Sequence, residues 1–228
     1  MPALRSSAEP GRLLSVNVGL PQAVDTGRRV VETAIWKQPV AGRVRARGVN
    51  LDGDRQADLE VHGGPDKAVY AYAIEETREW EQELGRELGP GGLGENLTTE
   101  GLDVSGALLG ERWRIGTVVL EVVQPRIPCF KLGLRMGDPS FVKRFALGSR
   151  PGAYLRIVEE GELGAGDEVA VSRDAGQDHG VSVRLVADAI LVDRRLAARA
   201  LEAPQLVPRL RELMTRYAPE MILEEFGT

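Results

Sequence analysis

The residue best suited to chemistry is Cys129, the one cysteine in a chain of 228 residues. It lies in the stretch Val123-Gln124-Pro125-Arg126-Ile127-Pro128-Cys129-Phe130-Lys131-Leu132. Pro125 and Pro128 fix φ at their own positions and push the residues before them toward extended backbone, so the approach to the thiol is stiff. Arg126 and Lys131 place positive charge on either side of it. Nearby cations favour the thiolate, the form that attacks electrophiles and ligates soft metals. The competing assignment is a buried structural cysteine, because free cysteine is among the most buried residue types. Two stiffening prolines and two cations favour chemistry.

A second polar cluster runs from Asn50 to Tyr72 and reads as mostly loop. Asn50, Asp52 and Asp54 alternate as in a calcium loop, but position 55 is Arg where glycine is required, and no glutamate closes the ligand set. Calcium is excluded there. Gly89-Pro90-Gly91-Gly92-Leu93-Gly94 matches G-x-G-x-x-G, yet it follows a helix pattern instead of a strand and contains proline, so a dinucleotide loop is excluded too. Asp54 and Asp58 read as loop anchors, since Asp commonly bonds local backbone. Tyr70 and Tyr72 alternate with alanine and read as strand packing. His62-Gly63-Gly64 lets backbone approach a ligand closely, with a histidine that titrates near neutral pH.

The elements that must hold these groups are mostly short strands. Alternation and glycine or proline punctuation predict strands near 13–19, 30–35 and 42–47, then a hairpin of 112–115 with 117–123 across Gly116. Residues 153–158 and 167–172 add two more. Three-to-four spacing predicts a helix over 74–88, stopping at Gly89-Pro90. Residues 138–147 read as a helix with Asp138 at the N-cap and Pro139 at N1. Strands this frequent indicate a sandwich or barrel. After a polar stretch at 173–180 the period changes, and 183–191, 193–201 and 205–217 read as helices. The expected organisation is a disordered leader at 1–11, a strand-rich domain at 12–175 and a three-helix appendage at 179–228 with a docking or dimerisation role, including a homodimer.

Bulk composition narrows the function classes. The chain is 43% hydrophobic and 28% charged, ordinary for a globule with a sizeable core. A net charge of −5 gives no support to nucleic-acid binding, though a local basic pocket is compatible with it. One cysteine excludes an internal disulfide and an iron–sulfur cluster, and fits a reducing compartment. Residues 1–11 show no secretory pattern, and no stretch reaches the ~20 apolar residues of a membrane span. The expectation is a cytoplasmic protein with no membrane or nucleic-acid partner.

Five motifs in order carry a resemblance: Gly53-Asp54-Arg55-Gln56-Ala57-Asp58, His62-Gly63-Gly64, Asp66-Lys67-Ala68-Val69, Gly94-Glu95-Asn96-Leu97-Thr98 and Pro125-Arg126-x-Pro128-Cys129-x-Lys131-Leu132. Together they resemble the MOSC family, and within it the YiiM-like proteins. The likeness covers residues 13–172, and the C-terminal helices resemble the three-helix appendage of that branch. It implies a mainly β, barrel-like domain with a few peripheral helices and a small all-α appendage. It also implies binding of the molybdenum cofactor, a pterin dithiolene with a terminal phosphate, with Cys129 as the molybdenum ligand. The chain departs from the pattern at Asn50 (usually glycine), Ile127 (commonly polar) and Phe130 (commonly tyrosine).

The activity implied is reduction of N-hydroxylated compounds, such as N-hydroxylated purine bases, with electrons from a separate flavoprotein reductase. The side chains are consistent with that. Dithiolene sulfurs plus a thiolate suit a soft metal. Arg126, Lys131 and Lys67 are candidates for the phosphate, and Gly63 and Gly64 for close backbone approach. Glu95 and Asn96 offer an acceptor and an amide beside the pterin or substrate. The expected reaction removes the hydroxyl oxygen of an N–OH substrate at molybdenum. Cys129 would anchor the metal and His62, or a bound water, would assist protonation. Two other readings compete: a non-redox carrier of the cofactor or of sulfur on Cys129, and a cysteine hydrolase using Cys129 with His62 or His179 and Asn96.

Overall fold

Val69-Tyr70-Ala71-Tyr72-Ala73 forms a strand in which all five residues are buried. Side chains alternate across a strand, so Val69, Ala71 and Ala73 face one core while Tyr70 and Tyr72 face another. The small residues point into a crowded barrel interior, and the tyrosines point outward under a layer of helices. The computed structural model describes residues 11–57, 63–174 and 178–225, with side chains as far as 218.

The strands in chain order are β1 (Gly11–Val18), β2 (Gln22–Asp25), β3 (Val30–Thr33), β4 (Gln38–Pro39), β5 (Arg43–Arg47), β6 (Asn50–Leu51), β7 (Val69–Ala73), β8 (Leu97–Glu100), β9 (Arg112–Ile115), β10 (Val118–Pro125), β11 (Ala153–Glu159), β12 (Gly161–Gly164) and β13 (Glu168–Ser172). The helices are α1 (Ile74–Leu84), α2 (Phe130–Met136), α3 (Phe141–Leu147), α4 (Val183–Leu191), α5 (Ala197–Ala200) and α6 (Pro208–Glu225). Seven strands run β13-β9-β10-β11-β7-β8-β1, and β1 returns to β13 through Gly11↔Val169 and Arg12↔Glu168. The sheet therefore closes into a barrel, which removes its open edges. Its neighbours are antiparallel except β7 and β8, which run parallel. A three-stranded sheet, β12-β5-β6, and the β2–β3 hairpin stand outside it.

Leu13, Val16, Leu97, Trp113, Ile115, Leu120 and Leu155 fill the interior with no exposed surface. The same apolar cluster continues into the C-terminal helices through Val181, Val183, Val186, Ala200 and Met214. Backbone hydrogen bonds reinforce that junction: Leu109 N donates to Val181 O (3.1 Å), Val183 N to Ala107 O (2.9 Å) and Arg184 N to Ser105 O (2.7 Å). The second cluster is aromatic. Tyr70, Tyr72, Trp80, Leu132, Phe141 and Phe145 pack between β7 and helices α1, α2 and α3.

Several element boundaries differ from the sequence expectations. Helix α1 stops at Gly85, not at Gly89-Pro90. Gly85 takes a left-handed φ of 65° and donates to Glu81 O, while the Glu81 carboxylate accepts the N–H groups of Leu88 and Gly89 and folds that segment into a turn. Helix α3 starts at Phe141, because Asp138 and Pro139 form a preceding turn in which the Asp138 carboxylate accepts Ser140 N and Oγ. The stretch predicted as mostly loop holds β6, a 3-10 turn at Pro65–Lys67 and β7. The second C-terminal helix divides into a 3-10 turn at Arg194–Leu196 and the short α5. Strand β12 had no counterpart in the sequence reading. Among the described residues no helix is long and apolar enough to cross a membrane.

Candidate active site

Strand β10 delivers the chain into the cysteine segment, and helix α2 takes it away. Cys129 sits between them at the N-cap of α2 with extended backbone (φ −131°, ψ 174°), its carbonyl accepting Leu132 N at 2.9 Å. Leu132, Gly133 and Met136 bury the inner face of α2, which fixes where the half-buried thiol points. It opens into a pocket walled by three separate parts of the chain: Thr33, Ala34, Ile35 and Lys37 at and beyond the end of β3; Asp54, Arg55, Gln56 and Ala57 with Lys67 and Ala68; and Arg126, Ile127 and Lys131 beside Cys129. Tyr70, Tyr154, Gly94 and Asn96 complete the wall.

The pocket is cationic. Lys37, Arg55, Lys67, Arg126 and Lys131 line it, against one carboxylate, Asp54. That is a local reversal of sign in a chain of net charge −5, and it favours an anionic guest. Arg126 is 7% exposed. Its Nη1 donates to Leu93 O at 2.5 Å, and its guanidinium lies 5.0 Å from the Tyr70 ring centroid and 5.7 Å from that of Phe145. Burial works against its charge, but Tyr70, Tyr154 and Cys129 outweigh it and hold its pKa above the ordinary arginine value. Burial raises the pKa of both Tyr70 and Tyr154 against the opposing pull of Arg126, so both phenols keep their protons at neutral pH. Tyr70 Oη donates to Pro151 O, and Lys67 Nζ lies 6.0 Å from the Tyr154 ring centroid.

Lys37 and Asp54 form a buried ion pair at 2.5 Å. Desolvation lowers the Lys37 pKa, with Asp54 opposing it. Asp54 also accepts Gly19 N (2.8 Å) and Asn96 Nδ2 (2.9 Å), so it is the loop anchor its residue type suggested. Sequence reading did not select Lys37, which lies 92 positions from Cys129 with no spacing or motif linking the two. Tyr154 escaped notice for the same reason.

The structure brings Cys129, Arg126, Lys131, Lys67 and Asn96 to one pocket. Asn96 is largely committed to the scaffold: its Oδ1 accepts Tyr70 N, and its Nδ2 donates to Asn17 O and Asp54. Glu95 does not offer the acceptor expected of it. Its carboxylate is fully buried behind the wall and accepts Gly91 N (2.6 Å), Leu93 N (3.1 Å) and Thr98 Oγ1 (2.9 Å), closing the glycine-rich turn. Gly63 and Gly64 stand outside the pocket lining. Gly64, at φ 88°, donates to Gln56 Oε1 and starts the turn that carries Lys67. His62 and Asp58 lie outside the described residues. His179 accepts Val181 N before α4 and does not reach the pocket, which removes it as a base for Cys129.

The MOSC domain signature matches residues 58–170. YflK of Bacillus subtilis (strain 168), an uncharacterised protein, is 40% identical over 154 residues, 68% of this chain and 70% of YflK. This chain belongs to the MOSC family. A protein named Reductase from Gibberella moniliformis is 32% identical over 167 residues, 72% of this MOSC chain but 29% of the longer fungal protein. The crystal structure of YiiM from Geobacillus stearothermophilus superposes with a TM-score of 0.74 at 27% identity, covering 92% of this chain and all of that one. The resemblance stated on five motifs is thus matched by the whole domain.

A MOSC chain is associated with the molybdenum cofactor, and the pocket's donor set fits that group. It presents one thiol for a soft metal and several cations for a phosphate. Among the described residues no group of three or more His, Cys, Asp or Glu side chains could hold a metal ion by itself.

Proposed function

We propose that this MOSC protein is a molybdenum cofactor-dependent reductase of N-hydroxylated compounds, such as N-hydroxylated purine bases, drawing electrons from a separate flavoprotein reductase. The observation that carries the reading is the placement of the single thiol in the wall of a pocket with five cationic side chains. The fungal relative named Reductase contains the matching segment as a minor part of its length, and that name supports a reductive role.

The cofactor, when bound, supplies the two-electron chemistry that accepts an oxygen atom. The chain's own residues do the rest. Cys129 Sγ would be the ligand to the metal. Arg126, buried and held rigid by Leu93 O and the flanking rings, is preorganised for an anionic group, with Lys67, Lys131 and Arg55 adding charge. Burial raises the Tyr154 pKa, so its Oη stays protonated at neutral pH and is available as a neutral hydrogen-bond donor in the pocket wall. His62 remains the proposed partner for protonating the leaving nitrogen. Ala34, Ile35, Ala57, Ala68 and Ile127 add apolar surface to the lining, suited to the flat face of a heterocycle.

Protein made in a cofactor-competent host should contain molybdenum and release a pterin, and should reduce N-hydroxyadenine when given an artificial reductant. Cys129→Ala should abolish that reduction and lower the bound molybdenum several-fold. Full activity in Cys129→Ala would sink the assignment. Bound cofactor in the unaltered protein with no turnover would point instead to the carrier role.

A further inference from the structure

We propose that Arg29 and Phe130 form a gate across the mouth of the Cys129 pocket and so determine which substrates reach it. The gate follows from geometry, while its effect on substrate choice rests on the reductase reading above. The β2–β3 hairpin pairs within itself from Gln22↔Thr33 to Asp25↔Val30, and among the described residues it joins no other sheet. Its tip is tightly closed. Asp25 Oδ1 accepts Gly27 N at 2.8 Å, Thr26 Oγ1 donates to Arg29 O at 2.8 Å, and Arg29 N donates back to Thr26 Oγ1 at 3.2 Å. Gly27 supplies the positive φ of 76° that this turn needs.

The base is equally firm. Asp54 Oδ1 accepts Gly19 N where the chain enters the hairpin and the Lys37 ammonium where it leaves. Between base and tip the hairpin has little packing, and Val30 is 64% exposed. The residues following β3 form one wall of the pocket, and those around Cys129 form another. Arg29 and Phe130 stand outside the lining itself but adjoin these walls in the chain: Arg29 lies four residues before Thr33, Phe130 directly follows the thiol, and the guanidinium is 5.7 Å from the ring centroid. Phe130 is 43% exposed, so this contact is a solvent-facing cation–π pair and a weak one. A firm base, a stiff tip and a weak latch describe a part that swings without disturbing the barrel. Flat heterocycles would pass the latched mouth, and bulky N-hydroxy compounds would wait for it to open.

Because Cys129 is the only thiol, its labelling rate reports the mouth directly in cofactor-free protein. Rates would be compared for iodoacetamide and for a maleimide carrying a long polyethylene glycol chain. In Arg29→Ala and in Phe130→Ala the large-to-small rate ratio should rise about two- to five-fold, the worth of an exposed cation–π contact. The double variant should rise no further, since both changes remove one contact. Taking the ratio cancels any change in thiolate content from the lost charge. Unchanged ratios, or additive effects in the double variant, would overturn the gate. With cofactor-loaded protein, the same variants should favour a bulky N-aryl hydroxylamine over N-hydroxyadenine by a similar factor in kcat/KM. An unaltered protein that reduces neither compound, alongside raised labelling ratios, would remove the reductase reading and leave the gate standing.

Discussion

Arg126 commits one guanidinium nitrogen to Leu93 O and lies against two aromatic rings, while still lining the pocket. A lysine ammonium cannot reproduce the planar fork or that stacking. Arg126→Lys should therefore lower pterin content several-fold and lower the unfolding free energy of cofactor-free protein by about 1–3 kcal/mol, the usual cost of a disturbed buried hydrogen bond. Pterin fluorescence and urea denaturation would measure the two effects. At this scale the sequence was most legible where chemistry is local: the prolines, cations and thiol of 125–131 lie within seven positions of one another. It was least legible at Glu95, whose neighbours gave no sign that its carboxylate turns to Gly91 and Leu93.

The joint between α1 and α4 contains a titratable element. Glu76 on α1 is buried, and desolvation raises its pKa from an ordinary value of 4.5 to about 7 despite a hydrogen bond from Ser105 Oγ and the Arg184 guanidinium 3.6 Å away. The unfolded chain releases this proton above pH 4.5, whereas the folded protein keeps it to about pH 7. The group's contribution is thus most favourable below pH 4.5 and is lost as pH rises from 4.5 to 7. At about 1.4 kcal/mol per pH unit, that loss is up to about 3 kcal/mol. Glu76→Gln has no proton to lose, so its stability relative to the unaltered protein should improve between pH 5 and pH 8 by up to about 3 kcal/mol in urea titrations. No improvement would show that Arg184 holds the carboxylate ionised. Element type was readable in the sequence for α1, but its end was not, because Glu81 reaches forward to two backbone amides that no periodicity reveals.

Across the whole molecule, the barrel interior and the C-terminal helices share one apolar cluster. Removing 179–228 would uncover Val104, Ala107 and Leu109, which are buried with Val181 and Val183. A truncated chain of 1–178 should bind a hydrophobic dye and unfold without a sharp transition, where the full chain unfolds cooperatively. A sharp transition in the truncated chain would show that the barrel is an independent domain. A strand-rich sandwich-or-barrel class, the strand-then-helix order and the thiol-bearing segment were written locally, because alternation, turn residues and proline stiffness act over a few positions; the choice of barrel came with the family resemblance. The full cationic pocket was not, since Lys37, Arg55 and Tyr154 share a pocket with Cys129 only once the barrel closes and brings distant segments together. Nor was the contact between Arg29 and Phe130, which depends on the angle at which a hairpin leaves its base. Short-range backbone chemistry chose the elements, and long-range packing chose their neighbours.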